Sequence, residues 1–146
     1  MRIDENTIAL IKHLRDGRKS FKKIADALSL SEATVRNRVN KLVREGVLDI
    51  CGLVDPEAMP DMKPMIIGVK LKTTDMFKKG EEFSKLKGVV SVSVVTGRYD
   101  LMVLVVFNRE YDLPEFYTEQ ISRVKDVQSL ETFVIYKSFN LKVPCL

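Results

Sequence analysis

The chain has 146 residues, of which 45% are hydrophobic and 30% charged, and its formal net charge is +4. This mixture can bury a core and excludes a disordered tail. The longest apolar run, residues 101–107, is too short for a membrane helix, which needs about 20 residues. The chain does not open with an apolar segment typical of a secretory signal, so a cytoplasmic protein is predicted.

The positive charge is concentrated near the N-terminus. Residues 1–46 contain 11 Lys/Arg and 6 Asp/Glu, a balance of +5. Residues 47–146 contain the other 13 Lys/Arg and 14 Asp/Glu, a balance of −1. This division predicts one module that meets a polyanion and a second module with another task.

The N-terminal third is predicted to form three helices. The first ends near Gly17, the second is short and capped by Ser20, and the third runs from its cap Ser31 to Gly46. A tight turn separates the second and third helices, which predicts a helix-turn-helix unit with Ser29 at the turn position that glycine usually takes. The predicted buried positions are Ile3, Ile8, Ile11 and Leu14, then Phe21, Ile24, Ala25 and Leu28, then Val35, Val39, Leu42 and Val43.

The third helix presents a polar face opposite its apolar stripe. At 100° per residue, Asn37 and Asn40 lie on the side away from Val35, with arginines flanking the stripe. Asn can pair with adenine, Lys with guanine, and Arg with phosphates, so this face suits a DNA major groove. A solvated helix surface is the alternative. The predicted DNA-contacting residues are Ser31, Thr34, Arg36, Asn37, Arg38, Asn40, Lys41 and Arg44.

The remainder is predicted to be a sheet with two helices. A linker rich in proline spans residues 51–64 and contains the end of a strand over residues 48–54. The elements that follow are a strand at 65–71, a helix at 75–86, strands at 90–94 and 99–107, a helix at 113–124 and a strand at 127–139. This order predicts an α+β chain whose C-terminal domain is a ferredoxin-like βαββαβ fold with both helices on one sheet face.

The predicted domains are therefore a helix-turn-helix domain at 1–50, the linker at 51–64 and a ferredoxin-like domain at 65–146. The uncovered sheet face is partly apolar, which predicts a homodimer that buries it. A monomer with an exposed polar sheet is the alternative.

Several segments resemble one protein family. Residues 24–28 (IADAL), 31–39 (SEATVRNRV) and 45–48 (EGVL), followed by 96–101 (TGRYDL), resemble the Lrp/AsnC, or feast/famine, transcription factors. The resemblance extends over nearly the whole chain. It implies a winged helix-turn-helix domain joined to a ferredoxin-like ligand-sensing domain (RAM), and double-stranded DNA as a partner. It also implies dimers that assemble into higher oligomers such as octamers.

The resemblance further implies a small effector, usually an amino acid, at the sheet hairpin. Its site would include Thr96, Gly97, Tyr99, Asp100 and Leu101, with Thr132 as a weaker candidate. In such a site Asp100 can neutralise an ammonium group, while backbone amides bind a carboxylate. The alternative is a simple β-turn in which Asp100 caps its own hairpin.

Two other functions remain open. A low-specificity, chromatin-like protein would wrap DNA through phosphate contacts. An enzyme such as a tetrapyrrole decarboxylase is conceivable, because some proteins that resemble this family have that activity, but the single His13 lies in the basic module and neither cysteine has a base near it in sequence. The sequence therefore predicts a regulator without catalytic residues, metal site or cofactor.

Overall fold

A computed structural model of the chain describes residues 3–145, and the backbone divides into two units between Cys51 and Gly52. Residues 1, 2 and 146, which fall within the predicted domain ranges, lie outside the described residues. Unit 1 contains the helices α1 (Glu5–Leu14), α2 (Phe21–Leu28) and α3 (Glu32–Arg44).

Side-chain caps begin all three helices of unit 1. Asp4 accepts a hydrogen bond from the Thr7 amide at 2.7 Å, Ser20 from that of Lys23 at 3.3 Å and Ser31 from that of Thr34 at 3.1 Å. Each bond satisfies an amide that has no partner inside its helix. The predicted caps Ser20 and Ser31 are thereby confirmed.

Unit 1 has one apolar core. Its buried residues are Leu10, Ile24, Ala25, Val35, Val39 and Leu42. The prediction was wrong at three positions: Ile3 and Ile8 are each 45% exposed, and Val43 is 43% exposed. Ile3 precedes α1, and the buried stripe of α1 runs through Leu10 instead. Val43 lies about 80° from Val35 around the axis of α3, at the edge of the buried stripe.

The turn between α2 and α3 has left-handed backbone geometry at Ser29, whose φ is +54°. The Leu30 amide donates to the Ala25 carbonyl at 2.9 Å, which closes the end of α2. The expectation that a serine would adopt the strained conformation usually left to glycine is confirmed.

Unit 2 begins with the short strand β1 (Leu53–Val54), and its main sheet starts with β2 (Lys63–Leu71). Next come helix α4 (Met76–Ser84), strands β3 (Val89–Val94) and β4 (Leu101–Phe107), and the helical turn α5 (Leu113–Glu115). The chain then forms a π-helical turn (Phe116–Gln120), a 3-10 turn (Ile121–Arg123), strand β5 (Val127–Val134) and the short strand β6 (Val143–Pro144), which pairs with β1.

The main sheet has the order β3-β4-β2-β5, and all neighbouring strands are antiparallel. This is the predicted βαββαβ arrangement. Three predicted strands are shorter than expected. Only Leu53–Val54 of the range 48–54 is a strand, and β4 begins at Leu101 instead of Tyr99. The last long strand ends at Val134 instead of Phe139, because the residues beyond Val134 do not pair with β2.

The two faces of the sheet differ. Ile67, Val69, Leu101 and Val103 are fully buried against the helices, together with Phe83 of α4. The opposite face, called the outer face below, carries Ile66, Gly68, Ser91, Ser93, Met102 and Leu104. None of the helices between residues 3 and 145 is long and apolar enough to cross a membrane.

Candidate functional site

The polar face of α3 is exposed opposite its buried stripe. Asn37, Asn40 and Arg44 are exposed, and none of them makes a side-chain hydrogen bond or ion pair within residues 3–145. Their donors and acceptors are therefore available to an external partner.

At the start of α3, two hydroxyl groups are joined to each other. Ser31 Oγ lies 2.8 Å from Thr34 Oγ1 and also accepts from the Thr34 amide. Ser31 therefore caps the helix, and both hydroxyl groups keep further hydrogen-bonding capacity at the surface.

Two cations of α3 have acidic partners on the same helix surface. Arg36 donates to Glu32 at 2.7 Å, and its guanidinium lies 5.4 Å from the centre of the Phe21 ring. Lys41 lies 3.8 Å from Glu45. Exposed ion pairs of this kind stabilise the folded state by at most about 1 kcal/mol, so a DNA phosphate can replace the carboxylate as the partner of each cation.

The Arg38 side chain makes an ion pair within unit 1. One of its guanidinium nitrogens lies 3.6 Å from Asp4 Oδ1, and the side chain is only 32% exposed. Hydrogen bonding with Thr7, more than the charge of Arg38, holds the pKa of Asp4 below its ordinary value. Arg38 thus connects α3 to the cap of α1 and is less free to reach a phosphate than was predicted.

The hairpin between β3 and β4 has an exposed tip. The Val95 amide donates to the Asp100 carbonyl at 3.0 Å, and the Asp100 amide donates to the Val69 carbonyl at 2.8 Å. In the loop between these two hydrogen bonds, Thr96, Gly97 and Arg98 are exposed. Gly97 has a φ of +131°, a backbone conformation that residues with a side chain rarely adopt.

Asp100 already has two hydrogen-bond donors. The Lys70 ammonium and the Leu71 amide each donate to it at 2.8 Å. These bonds, with that from Lys70 the stronger cause, hold the pKa of the Asp100 carboxyl below its ordinary value. Asp100 therefore joins the hairpin to β2, and a ligand ammonium could pair with it only in competition with Lys70.

Tyr99 lies on the outer face. Its ring covers Gly68 so closely that a Cβ atom there would be 2.8 Å from it, and it meets the Phe133 ring edge-on at 5.8 Å. The Tyr99 hydroxyl donates to Glu131, which also lies 3.1 Å from Arg98. The hydrogen bond to Glu131 raises the pKa of Tyr99.

Sequence reasoning missed four neighbours of the hairpin: Gly68, Lys70, Glu131 and Phe133. They lie about 30 residues from Tyr99 and Asp100 in sequence, and no local pattern marks them. The register, with Gly68 between Met102 and Glu131, is what brings these residues beside the hairpin.

Two predicted effector residues point elsewhere. The Leu101 side chain is completely buried in the core, so it cannot contact a ligand at the surface. Thr132 pairs in register with Ile67 and bonds the Tyr117 hydroxyl at 2.7 Å, which places it on the helix side of the sheet. The structure therefore brings together Thr96, Gly97, Tyr99 and Asp100, but not the side chains of Leu101 and Thr132.

Within residues 3–145, no cluster of three or more His, Cys, Asp or Glu side chains could hold a metal ion.

Two family models match the chain. Residues 3–49 match a winged helix-turn-helix DNA-binding domain, and residues 65–142 match the Lrp/AsnC ligand binding domain. The chain belongs to the Lrp/AsnC family. It is a DNA-binding transcriptional regulator, and the matched family consists of regulators, not enzymes.

Curated relatives and solved structures agree with this assignment. An uncharacterised HTH-type transcriptional regulator of Pyrococcus horikoshii is 30% identical over 135 residues, which covers 91% of this chain and 85% of the relative. AsnC of E. coli is 22% identical, with a TM-score of 0.65 over 94% of this chain and 95% of that one. A Neisseria meningitidis transcriptional regulator solved as a complex with L-Met is 19% identical, with a TM-score of 0.67 over 96% and 94%. At identities of 22% and 19%, these two structures support only the fold of this regulator.

Proposed function

We propose that the regulator binds a specific DNA sequence through α3 of unit 1 and that a small effector at the hairpin of unit 2 alters this binding. The observation that carries the first part is the exposed pair Asn37 and Asn40, opposite the buried stripe of α3, whose side chains bond no other residue in the described range 3–145. Such a regulator acts where the chromosome is, in the cytoplasm.

Within this proposal the residues of α3 divide by task. Asn37, Asn40 and Lys41 read base edges in the major groove, because amide and ammonium groups match adenine and guanine. Ser31, Thr34, Arg36 and Arg44 contact phosphates, which fix the orientation of the helix on the duplex. Arg38 positions α3 through Asp4.

Replacement of one amide tests the base-reading assignment. Asn37→Ala should weaken binding to a site from the regulator's own promoter by about 1–3 kcal/mol, roughly 5- to 150-fold, and leave binding to random DNA unchanged. Asn6→Ala on α1 is the matched control, because Asn6 is also exposed. Equal effects of the two substitutions on promoter binding would contradict the assignment.

The outer face supports a homodimer. Ile66, Met102 and Leu104 are only partly buried there, and Ser91 and Ser93 add small polar groups instead of charges. Beyond β5, Tyr136 is fully exposed and Phe139 is 84% exposed. A second copy is the occupant that matches this surface, since an isologous interface pairs a face with itself.

Sedimentation tests the dimer. The wild type should sediment at about twice 16.7 kDa at micromolar concentration. Leu104→Glu should give the monomer mass, because it places two carboxylates in the interface. Phe77→Glu is the control, since Phe77 is 80% exposed on α4, on the other side of the sheet. A wild-type mass near 16.7 kDa would exclude this dimer, and any further assembly into octamers would need a dimer first.

The hairpin supports an amino-acid effector. Thr96 and Gly97 are exposed in the hairpin that also contains Tyr99, and the Asp100 carboxylate holds this hairpin to β2 through Lys70. The L-Met complex of the Neisseria meningitidis regulator makes amino acids the first class to examine.

A thermal-shift screen of the common amino acids tests the effector. A ligand at 100 times its Kd should stabilise the protein by about 2.7 kcal/mol, a shift of several degrees. Thr96→Val should remove the shift, whereas Thr74→Val, at another exposed threonine, should keep it. If no amino acid shifts the wild type, the effector is not one of them.

A further inference from the structure

The segment between β5 and β6 lies beside the start of unit 2. Residues 135–142, called the strap below, connect the end of β5 with the buried Val143 of β6. Because β6 pairs with β1, the strap ends beside residues 53–58, called the linker turn below. The linker turn comprises β1 and a 3-10 turn (Pro56–Ala58), and only Gly52 separates it from unit 1 along the sequence.

Ion pairs join the strap to the linker turn at two places. The Lys142 ammonium donates to the Asp55 carboxylate at 2.8 Å. The Glu57 carboxylate accepts from the Lys137 ammonium, from the Ser138 amide at 2.9 Å and from the Ser138 hydroxyl at 3.3 Å. The lysine hydrogen bonds hold the pKa of each carboxyl group below its ordinary value, so both are ionised at neutral pH. Opposite charges therefore hold the strap against the linker turn.

The strap also borders the outer face of the sheet. Lys137 and Leu141 of the strap line a groove of about 480 Å³ together with Met102 and Leu104 of β4. Met102 and Leu104 belong to the face that the proposed homodimer buries. A second copy on the outer face therefore contacts the strap, and the strap in turn contacts the linker turn.

The strap is held loosely enough to open. Every strap residue is at least partly exposed, and so are both ion pairs, whose attraction water and salt screen. A second cavity, of about 250 Å³, is lined by Pro56 and Glu57 of the linker turn and by Tyr136 and Ser138 of the strap. Segments with exposed hydrogen bonds and few buried contacts open locally at a low free energy. A contact with a second copy can therefore shift the strap towards its closed state.

We propose that the strap couples the outer face to the linker turn: a second copy on the outer face holds the strap closed, and the closed strap fixes the linker turn. This inference rests on the proposed homodimer. Because only Gly52 lies between the linker turn and unit 1, a fixed linker turn restricts the attachment of the DNA-binding unit. Such coupling is reciprocal, so opening of the strap must weaken the dimer by the same factor by which dissociation loosens the strap.

The reciprocal effect can be measured from the side of the linker turn. Asp55→Asn with Glu57→Gln removes both carboxylate charges, keeps hydrogen-bond acceptors there and leaves the residues of the outer-face groove unchanged. The dimer Kd, measured by sedimentation, should rise about 3- to 10-fold, the effect expected of two exposed ion pairs. Asp49→Asn with Glu110→Gln removes two other exposed carboxylates and should leave the Kd unchanged. Equal Kd values for the two double variants would overturn the proposal.

Hydrogen exchange of the wild type measures the same coupling without a substitution. The Ser138 amide, which donates to Glu57, should exchange about 3- to 10-fold faster below the dimer Kd than above it. The amides of α2 in unit 1 should exchange at one rate at both concentrations. Unchanged exchange at Ser138 would overturn the proposal while the dimer stands. A wild type that is monomeric at every concentration would instead contradict the proposed homodimer, and the coupling with it.

Discussion

The Asp100 carboxylate accepts a hydrogen bond from the Lys70 ammonium at 2.8 Å, across thirty positions of sequence. Its second oxygen accepts from the Leu71 amide at the same distance. The side chain is 17% exposed, so the pair is better shielded than an ordinary surface pair. The hairpin is therefore attached to β2 before any ligand binds, and Asp100 is first a structural residue.

Asp100→Asn should lower the free energy of unfolding at pH 7 by about 1–2 kcal/mol, because it removes a charged acceptor from two donors. The pKa of Asp100 is lower in the folded chain than in the unfolded chain. The ionised Asp100 carboxylate thus stabilises the folded chain fully above about pH 4, and this stabilisation is lost as the pH falls through the pKa of Asp100 in the folded chain.

Urea unfolding of the wild type and Asp100→Asn between pH 7 and pH 3 measures this effect. The difference between them should shrink below about pH 4. Asp49→Asn, at an exposed carboxylate without an ion pair in the described chain, controls for the loss of one negative charge. A difference that is the same at pH 3 and pH 7 would contradict the assigned role.

Tyr111→Phe should stabilise the protein. The Tyr111 side chain is 2% exposed, and its hydroxyl has no hydrogen-bond partner within the described residues. Burial, with smaller effects of Glu115 and Glu119, raises its pKa to about 12. Removal of an unsatisfied hydroxyl should raise the unfolding free energy by about 1 kcal/mol and the Tm by a few degrees.

Tyr117→Phe is the matched control for that substitution. Its hydroxyl bonds Thr132 at 2.7 Å, so its loss should lower the Tm. Calorimetry of the two variants should therefore give shifts of opposite sign. A destabilised Tyr111→Phe would mean that the Tyr111 hydroxyl is satisfied in solution.

Gly68→Ala should destabilise unit 2 by about 1–3 kcal/mol, because the new Cβ would lie 2.8 Å from the Tyr99 ring. Gly80→Ala on α4 should be neutral or stabilising by up to about 1 kcal/mol, since the new Cβ would lie 3.6 Å from a Val94 methyl carbon, an ordinary van der Waals contact. In a Tyr99→Ala background the cost of Gly68→Ala should largely disappear. An equal cost in both backgrounds would exclude the Tyr99 contact as its cause.

Ser29→Gly should stabilise unit 1 by about 0.5–1 kcal/mol. The φ of +54° strains a serine but not a glycine. Chemical denaturation, monitored through the loss of helix content, measures this change in the free energy of unfolding. Ser31→Gly should not be stabilising, because the Ser31 hydroxyl caps α3. A destabilised Ser29→Gly would show that the Ser29 side chain makes a favourable contact that offsets the strain.

Features encoded within a few residues were predictable from the sequence. Ser20 and Ser31 cap the helices that follow them, and Ser29 takes the left-handed turn, because each depends on its immediate neighbours. The order of strands and helices in unit 2 was predictable for the same reason. Val43 was misjudged because it lies at the edge of the buried stripe, where spacing alone does not decide burial.

The hairpin site depended on contacts distant in sequence. The motif at 96–101 identified the loop, but its partners Gly68 and Lys70 on β2 and Glu131 on β5 are set by strand register. The sequence could not show that Leu101 faces the core or that Thr132 faces the helices. Both orientations follow from the pairing of β4 and β5 with β2.

The ratio of promoter to random-DNA affinity of the wild-type protein, measured at one fixed salt concentration, tests the central claim most directly. A regulator that reads bases through α3 should bind a site from its own promoter at least about 10³-fold more tightly than random DNA. A ratio below about tenfold would contradict sequence-specific recognition and favour a protein that wraps DNA through phosphate contacts alone.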